Sequence, residues 1–137
     1  MVSSWQTESG LIDQALSSGV RALLAKLLVA LEALNAQGQQ ASMDLSQEPL
    51  APEDRNQLLE LLGQGEITAQ VDAMGVTTLQ ETGVAGIWLV TYRAQEGNVT
   101  AEILEVTRVP ELLKSPVEEL GESKARVAAL IASQASL

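Results

Sequence analysis

The sequence predicts an α+β fold: a mainly antiparallel sheet of four to five strands packed with N-terminal, middle and C-terminal helices. Three observations carry this. Leu16, Val20, Leu23, Leu24, Leu27, Leu31 and Leu34 recur at steps of three and four, the spacing of a helix with a wide apolar face. After Gly65 the apolar period changes to two and is punctuated by Gly75, Gly83 and Gly97, as in strands joined by short connections. Near the end, Ser115, Pro116 and Glu118 make a strong helix start: a capping serine, proline at the first position and glutamate at the third.

The elements follow in order. The first helix stops at Gly38, and Gly19 with the two serines before it delays or kinks its start. Ala41, Met43 and Leu45 alternate with Ser42 and Asp44, which suggests a short strand. Pro49 and Pro52 bracket a loop. Pro52 suits a first helical turn, and Glu53 and Asp54 fall where the helix dipole favours negative charge. Leu58, Leu59, Leu61 and Leu62 give the middle helix its apolar face, and Gly63 ends it.

Ile67, Ala69, Val71 and Ala73 alternate with polar residues in the next strand, and Met74 and Gly75 turn the chain into a strand over residues 76–82. Residues 85–92 are almost wholly apolar, so both faces of that strand are expected to be covered. Residues 94–98 form a polar hairpin tip. In the last strand, residues 99–106, Val99, Ala101 and Ile103 share one face while Leu104 and Val106 share the other. A bulge near Ile103 is the expected cause. Gly121 is expected to interrupt the final helix before Val127, Leu130 and Ile131 resume its apolar face.

Composition bounds the chemistry. The chain has 137 residues, 46% apolar and 19% charged, which fits one globular domain. Eighteen acidic against eight basic residues give a net charge of −10. That balance argues against nucleic acid, whose grip requires a basic footprint, and against an anionic membrane surface. There is no Cys and no His. Thiolate nucleophiles, histidine triads and ordinary zinc, haem or iron–sulfur ligation are thereby excluded within this chain. A carboxylate site for a hard cation survives. Residues 1–10 carry no basic cluster ahead of an apolar run, and residues 20–34 are interrupted by Arg21, Lys26 and Glu32. A cytoplasmic protein without a secretory leader or membrane span is expected.

Few motifs point to catalysis. Gly63-Gln64-Gly65 lies between a helix and a strand and lacks a following Lys and Ser/Thr, so it reads as a turn and not a phosphate loop. Three acidic pairs stand out: Glu53/Asp54, Glu102/Glu105 and Glu118/Glu119. Two lie in helix first turns, where capping explains them. Glu102 and Glu105 oppose each other across a regular strand unless a bulge realigns them. Thr77, Thr78 and Thr82 have no histidine base, and Met43 and Met74 read as core filler. The informative residue is Trp88, one of three aromatics. On a regular strand Trp88, Val90 and Tyr92 share one side. Helices on both sheet faces would bury them; a face left bare would present them to a partner.

The stretch from residue 44 to 113 resembles the C-terminal conserved region of the HupH/HyaF family of hydrogenase expression and formation proteins. The resemblance rests on Asp44-Leu45, Pro49-Leu50 and Pro52. It continues through Leu58-Leu59-Glu60-Leu61-Leu62, Gly63-Gln64-Gly65-Glu66 and Gln80-Glu81-Thr82. It ends with Ala85-Gly86-Ile87-Trp88, Glu105-Val106 and Val109-Pro110-Glu111. It implies a single α+β domain over residues 1–137 and an accessory, chaperone-like role in nickel–iron hydrogenase maturation. The implied partner is the hydrogenase small subunit or another hydrogenase accessory protein. No catalytic residue or cofactor carries over. Members of the family are longer, so a homodimer is expected to stand in for the missing half. The partner surface is expected around Glu81, Gly86, Trp88, Val90, Tyr92 and Glu105, as contact and shape. Two other readings stay open: a small carboxylate-based enzyme, with or without magnesium, and a self-associating structural module.

Overall fold

In a computed structural model the chain is described over residues 15–135; the expectation placed on residues 1–10 lies outside them. Helix α1 spans Ser18–Gln37. The Ser17 hydroxyl accepts from the Val20 amide at 3.1 Å and caps the helix, which therefore starts ahead of Gly19 and is not delayed by it. At its far end the Gly38 amide donates to Leu34 O and the Gln39 amide to Ala33 O, which satisfies carbonyls the helix leaves unpaired. Strand β1 is Ala41–Asp44, and Leu45 passes into a 3-10 turn capped by Asp44. Helix α2, Pro52–Leu62, starts on its proline, and Asp54 accepts from the Ala51 amide at 3.4 Å.

Strands β2 (Thr68–Asp72), β3 (Val76–Glu81), β4 (Ile87–Arg93) and β5 (Val99–Val106) form an antiparallel meander. β1 adds to the free side of β5, giving the order β1-β5-β4-β3-β2. The core lies between one sheet face and the two helices. Val20, Leu23, Leu27 and Ala30 of α1 and Leu58 and Leu62 of α2 meet Ile87, Leu104 and Val106 there. The opposite face carries a smaller cluster of Leu79, Trp88 and Val90, flanked by Ala69, Val71, Tyr92 and Ile103. Both faces of β4 are thus covered, as its apolar run requires.

Three expectations are corrected. The irregularity in β5 lies at the hairpin end, where Tyr92 pairs with Ala101 but Arg93 with Val99. Ile103 pairs regularly with Val90 and Asp44. The change of phase needs no bulge there, because β5 lies between β1 and β4 with Leu104 in one cluster and Ile103 against the other. The last helix starts later than its cap signal: Pro116 precedes a 3-10 turn, Val117–Glu119, and helix α3 runs over Leu120–Ala135, straight through Gly121. Finally, α3 forms but lays no face on the sheet. Every described residue from 111 to 134 is exposed. α1 and α2 fill one sheet face, no residue of α3 joins the cluster on the other, and the extended Pro110 and Pro116 interrupt the chain between β5 and α3.

Candidate partner-binding surface

The pairing of β3, β4 and β5 sets five of the six expected residues on one sheet face. Glu81, Trp88 and Glu105 stand opposite one another across the three strands. Val90 follows between Leu79 and Ile103, and Tyr92 between Thr77 and Ala101. Alternation makes this arrangement, since partners across a ladder point the same way. The open Trp/Val/Tyr patch does not form: Trp88 is 4% exposed and Val90 0%. Tyr92, Glu81 and Glu105 remain half-buried. The row is therefore an apolar strip with two carboxylates beside its tryptophan. Among the described residues the Trp88 indole N–H has no acceptor.

Burial in this strip shifts two groups. It raises the Glu105 carboxyl above its usual range, and the nearby Glu111 carboxylate adds to the rise. It also raises the Tyr92 phenol, with a contribution from Glu105. For Glu105 the folded state holds its proton more tightly than the unfolded chain. Its contribution to stability is complete below the unfolded value, near 4.3, and is lost as pH rises through the raised folded value. Glu105→Gln removes the charge and keeps the shape. The variant is expected to exceed the wild type in urea midpoint at pH 7 and to match it near pH 4; an equal deficit at both would contradict the assignment.

Gly86 lies apart, in the turn between β3 and β4. Its φ of +93° suits glycine, and its carbonyl accepts from the Thr107 amide at 2.9 Å. A Cβ there would stand 3.4 Å from Leu31 and 3.6 Å from Leu34 of α1. The turn and the end of α1 enclose an open groove of about 910 Å3, to which Asn35, Glu81, Ala85 and Arg108 also contribute. Glu81 is the one residue shared by the groove and the strip.

The acidic pairs do not converge. Glu102 faces α2, where Arg55 grips it through both oxygens, with Nε to Oε1 at 2.6 Å and a second contact from the other guanidinium nitrogen. This hydrogen-bonded pairing holds the Arg55 guanidinium above its ordinary value. Glu105 is on the other face. Asp54 is engaged at its helix start, and Glu118 and Glu119 lie in the exposed 3-10 turn. Among the described residues no group of three or more acidic side chains is placed to hold a metal ion, and no helix is long and apolar enough to cross a membrane.

Sequence reasoning missed Gln80 and the groove. The Gln80 amide donates to the carbonyls of Gly65, Ile67 and Glu81, while its oxygen accepts from Gln64 and Thr68. It fastens the joint after α2 to β3. An exposed-looking glutamine on a strand gives no sign of this. The groove is assembled from residues far apart in sequence and has no local signature.

Three comparisons bear on these residues. The family profile described as HupH hydrogenase expression protein, C-terminal conserved region, matches residues 18–134. Hydrogenase expression/formation protein HoxQ of Azotobacter vinelandii is 33% identical over 86 residues, 63% of this chain and 30% of that protein. Hydrogenase expression/formation protein HupQ of Azotobacter chroococcum mcd 1 is 36% identical over 93 residues, 68% of this chain and 32% of that protein. The matched segment thus spans about a third of the length of these curated relatives. The solved structure of the hydrogenase expression protein HupH from Thiobacillus denitrificans ATCC 25259 superposes with a TM-score of 0.76 at 37% identity. It covers 90% of this chain and 100% of that one.

Proposed function

The chain belongs to the family of the HupH hydrogenase expression protein, C-terminal conserved region, and from that premise we propose that it serves hydrogenase maturation in the cytoplasm by holding a protein partner, without catalysing a reaction. The partner is a hydrogenase small subunit or another hydrogenase accessory protein. The observation that carries this reading is the absence of any Cys or His from a chain of this family. Such a chain cannot build an ordinary nickel or iron–sulfur site of its own, and a role in assembling a metalloenzyme then falls to contact between surfaces.

The proposed contact is the strip of Glu81, Trp88, Val90, Tyr92 and Glu105, with Gly86 shaping its end. Trp88 and Val90 act from beneath, as a rigid base. Tyr92 and the two carboxylates supply the accessible atoms. A net charge of −10 favours a basic segment on the partner and hastens encounter at low salt.

Co-purification with a tagged hydrogenase small subunit tests the partner, and Tyr92→Ala and Glu105→Ala test the surface. Each substitution is expected to weaken capture at least tenfold while far-UV circular dichroism stays the same. Undiminished capture by both variants rejects the surface. Failure of the wild type to retain the small subunit or any other hydrogenase assembly protein rejects the function.

A further inference from the structure

Helix α3 and the groove at the end of α1 are two unfilled surfaces on one chain. The helix exposes Leu120, Val127, Leu130 and Ile131 at 54, 56, 56 and 66%. Its two cations, Lys124 and Arg126, sit beside this apolar stripe. The groove presents half-buried Leu31 and Leu34 as an apolar floor, with the carboxylates of Glu32 and Glu81 at its margin. An apolar stripe flanked by two cations thus matches an apolar floor flanked by two carboxylates. Arg108, the cation lining the groove, is available to the acidic approach to the helix at Glu118, Glu119 and Glu122. The family profile also extends to residue 134. It includes almost all of a helix whose described side chains are exposed and therefore contribute little to their own domain.

We propose that α3 of one copy docks in this groove of a second copy, and reciprocally, so that the two contacts close a two-fold dimer. An amphipathic helix laid in an apolar groove is a standard recognition mode, and a reciprocal exchange uses each surface once and leaves none open. The inference requires only the purified chain and stands apart from the identity of any hydrogenase partner.

Sedimentation and light scattering at tens of micromolar are expected to give twice the 14.5 kDa chain mass. Val127→Glu with Ile131→Glu disables the helix, and Ala85→Trp, at an exposed position in the groove, disables the groove. Each is expected to weaken the dimer at least tenfold. Mixing the two disabled chains restores one helix-in-groove contact, so the mixture associates more tightly than either alone. Deleting residues 115–137 is expected to give a folded monomer whose melting temperature, unlike that of the wild type, does not rise with protein concentration. A wild type that stays monomeric over this range overturns the proposal, as it would if the groove receives its own helix or a foreign partner. A dimer indifferent to Ala85→Trp, with no recovery on mixing, overturns it in favour of pairing between the two helices.

Discussion

Trp88→Ala is expected to destabilise the domain by about 3–5 kcal/mol, the range for deleting a large buried aromatic side chain. Against a total stability of about 5–15 kcal/mol for a domain of this kind, that loss is visible as a shift in urea midpoint and as partial unfolding on warming. One term works the other way. The indole N–H lacks an acceptor among the described residues, and an unsatisfied buried donor costs about 1–3 kcal/mol, so removing it offsets part of the cavity penalty. Trp88→Phe separates the two. It keeps most of the ring and discards the orphaned donor, and a cost under about 1.5 kcal/mol is expected for so conservative a swap. If Trp88→Ala matches the wild type, the burial of this face is wrong. If Trp88→Phe costs as much as Trp88→Ala, the donor has a partner after all.

The second large effect concerns Gly65. A Cβ there would stand 2.5 Å from the Thr82 carbonyl oxygen, a backbone atom that cannot step aside. The same glycine donates from its amide to Glu81 O at 2.7 Å, and its carbonyl receives Gln80 Nε2 at 3.2 Å. The chain after α2 is therefore pressed against the end of β3. Gly65→Ala is expected to cost about 1–3 kcal/mol, as overpacking does. Gly121→Ala is the matched control, since that glycine is helical with nothing within 4 Å of an added Cβ. It is expected to be neutral or to gain up to about 1 kcal/mol from helix propensity. Equal urea midpoints for the two variants would refute the close approach at Gly65.

Much of the fold was legible because its local signals agree. The alternation of Ala69 and Val71, the apolar run around Val90 and the glycine-bearing turns at 75 and 97 each specify strands or their joints without reference to the rest of the chain. The face shared by Trp88, Val90 and Tyr92 follows from the same period. What covers that face does not. Alternation states which side chains point together, not what lies above them, so Trp88 could be read either as core or as surface. The phase change in β5 failed for a related reason. An inner strand buried against two separate clusters shows apolar residues on both sides, and in sequence that resembles a bulge at Ile103. The stripe of Val127, Leu130 and Ile131 also read as a core face, although it meets no core in its own chain. A helix that awaits another molecule and one that covers a sheet share one spacing.

The position of β1 dictates an order of events during folding. β2 to β5 pair with their neighbours in sequence, and loop closure between such partners is cheap and fast. β1 must instead find β5, with Ala41 joining Val106 and Asp44 joining Ile103. The core-facing leucines of α1 and α2 rest on Ile87, Leu104 and Val106 of the meander, and β1 only widens that platform with Ala41 and Met43. The meander is therefore expected to act as the nucleus, and α1 with β1 to condense upon it in the slower phase.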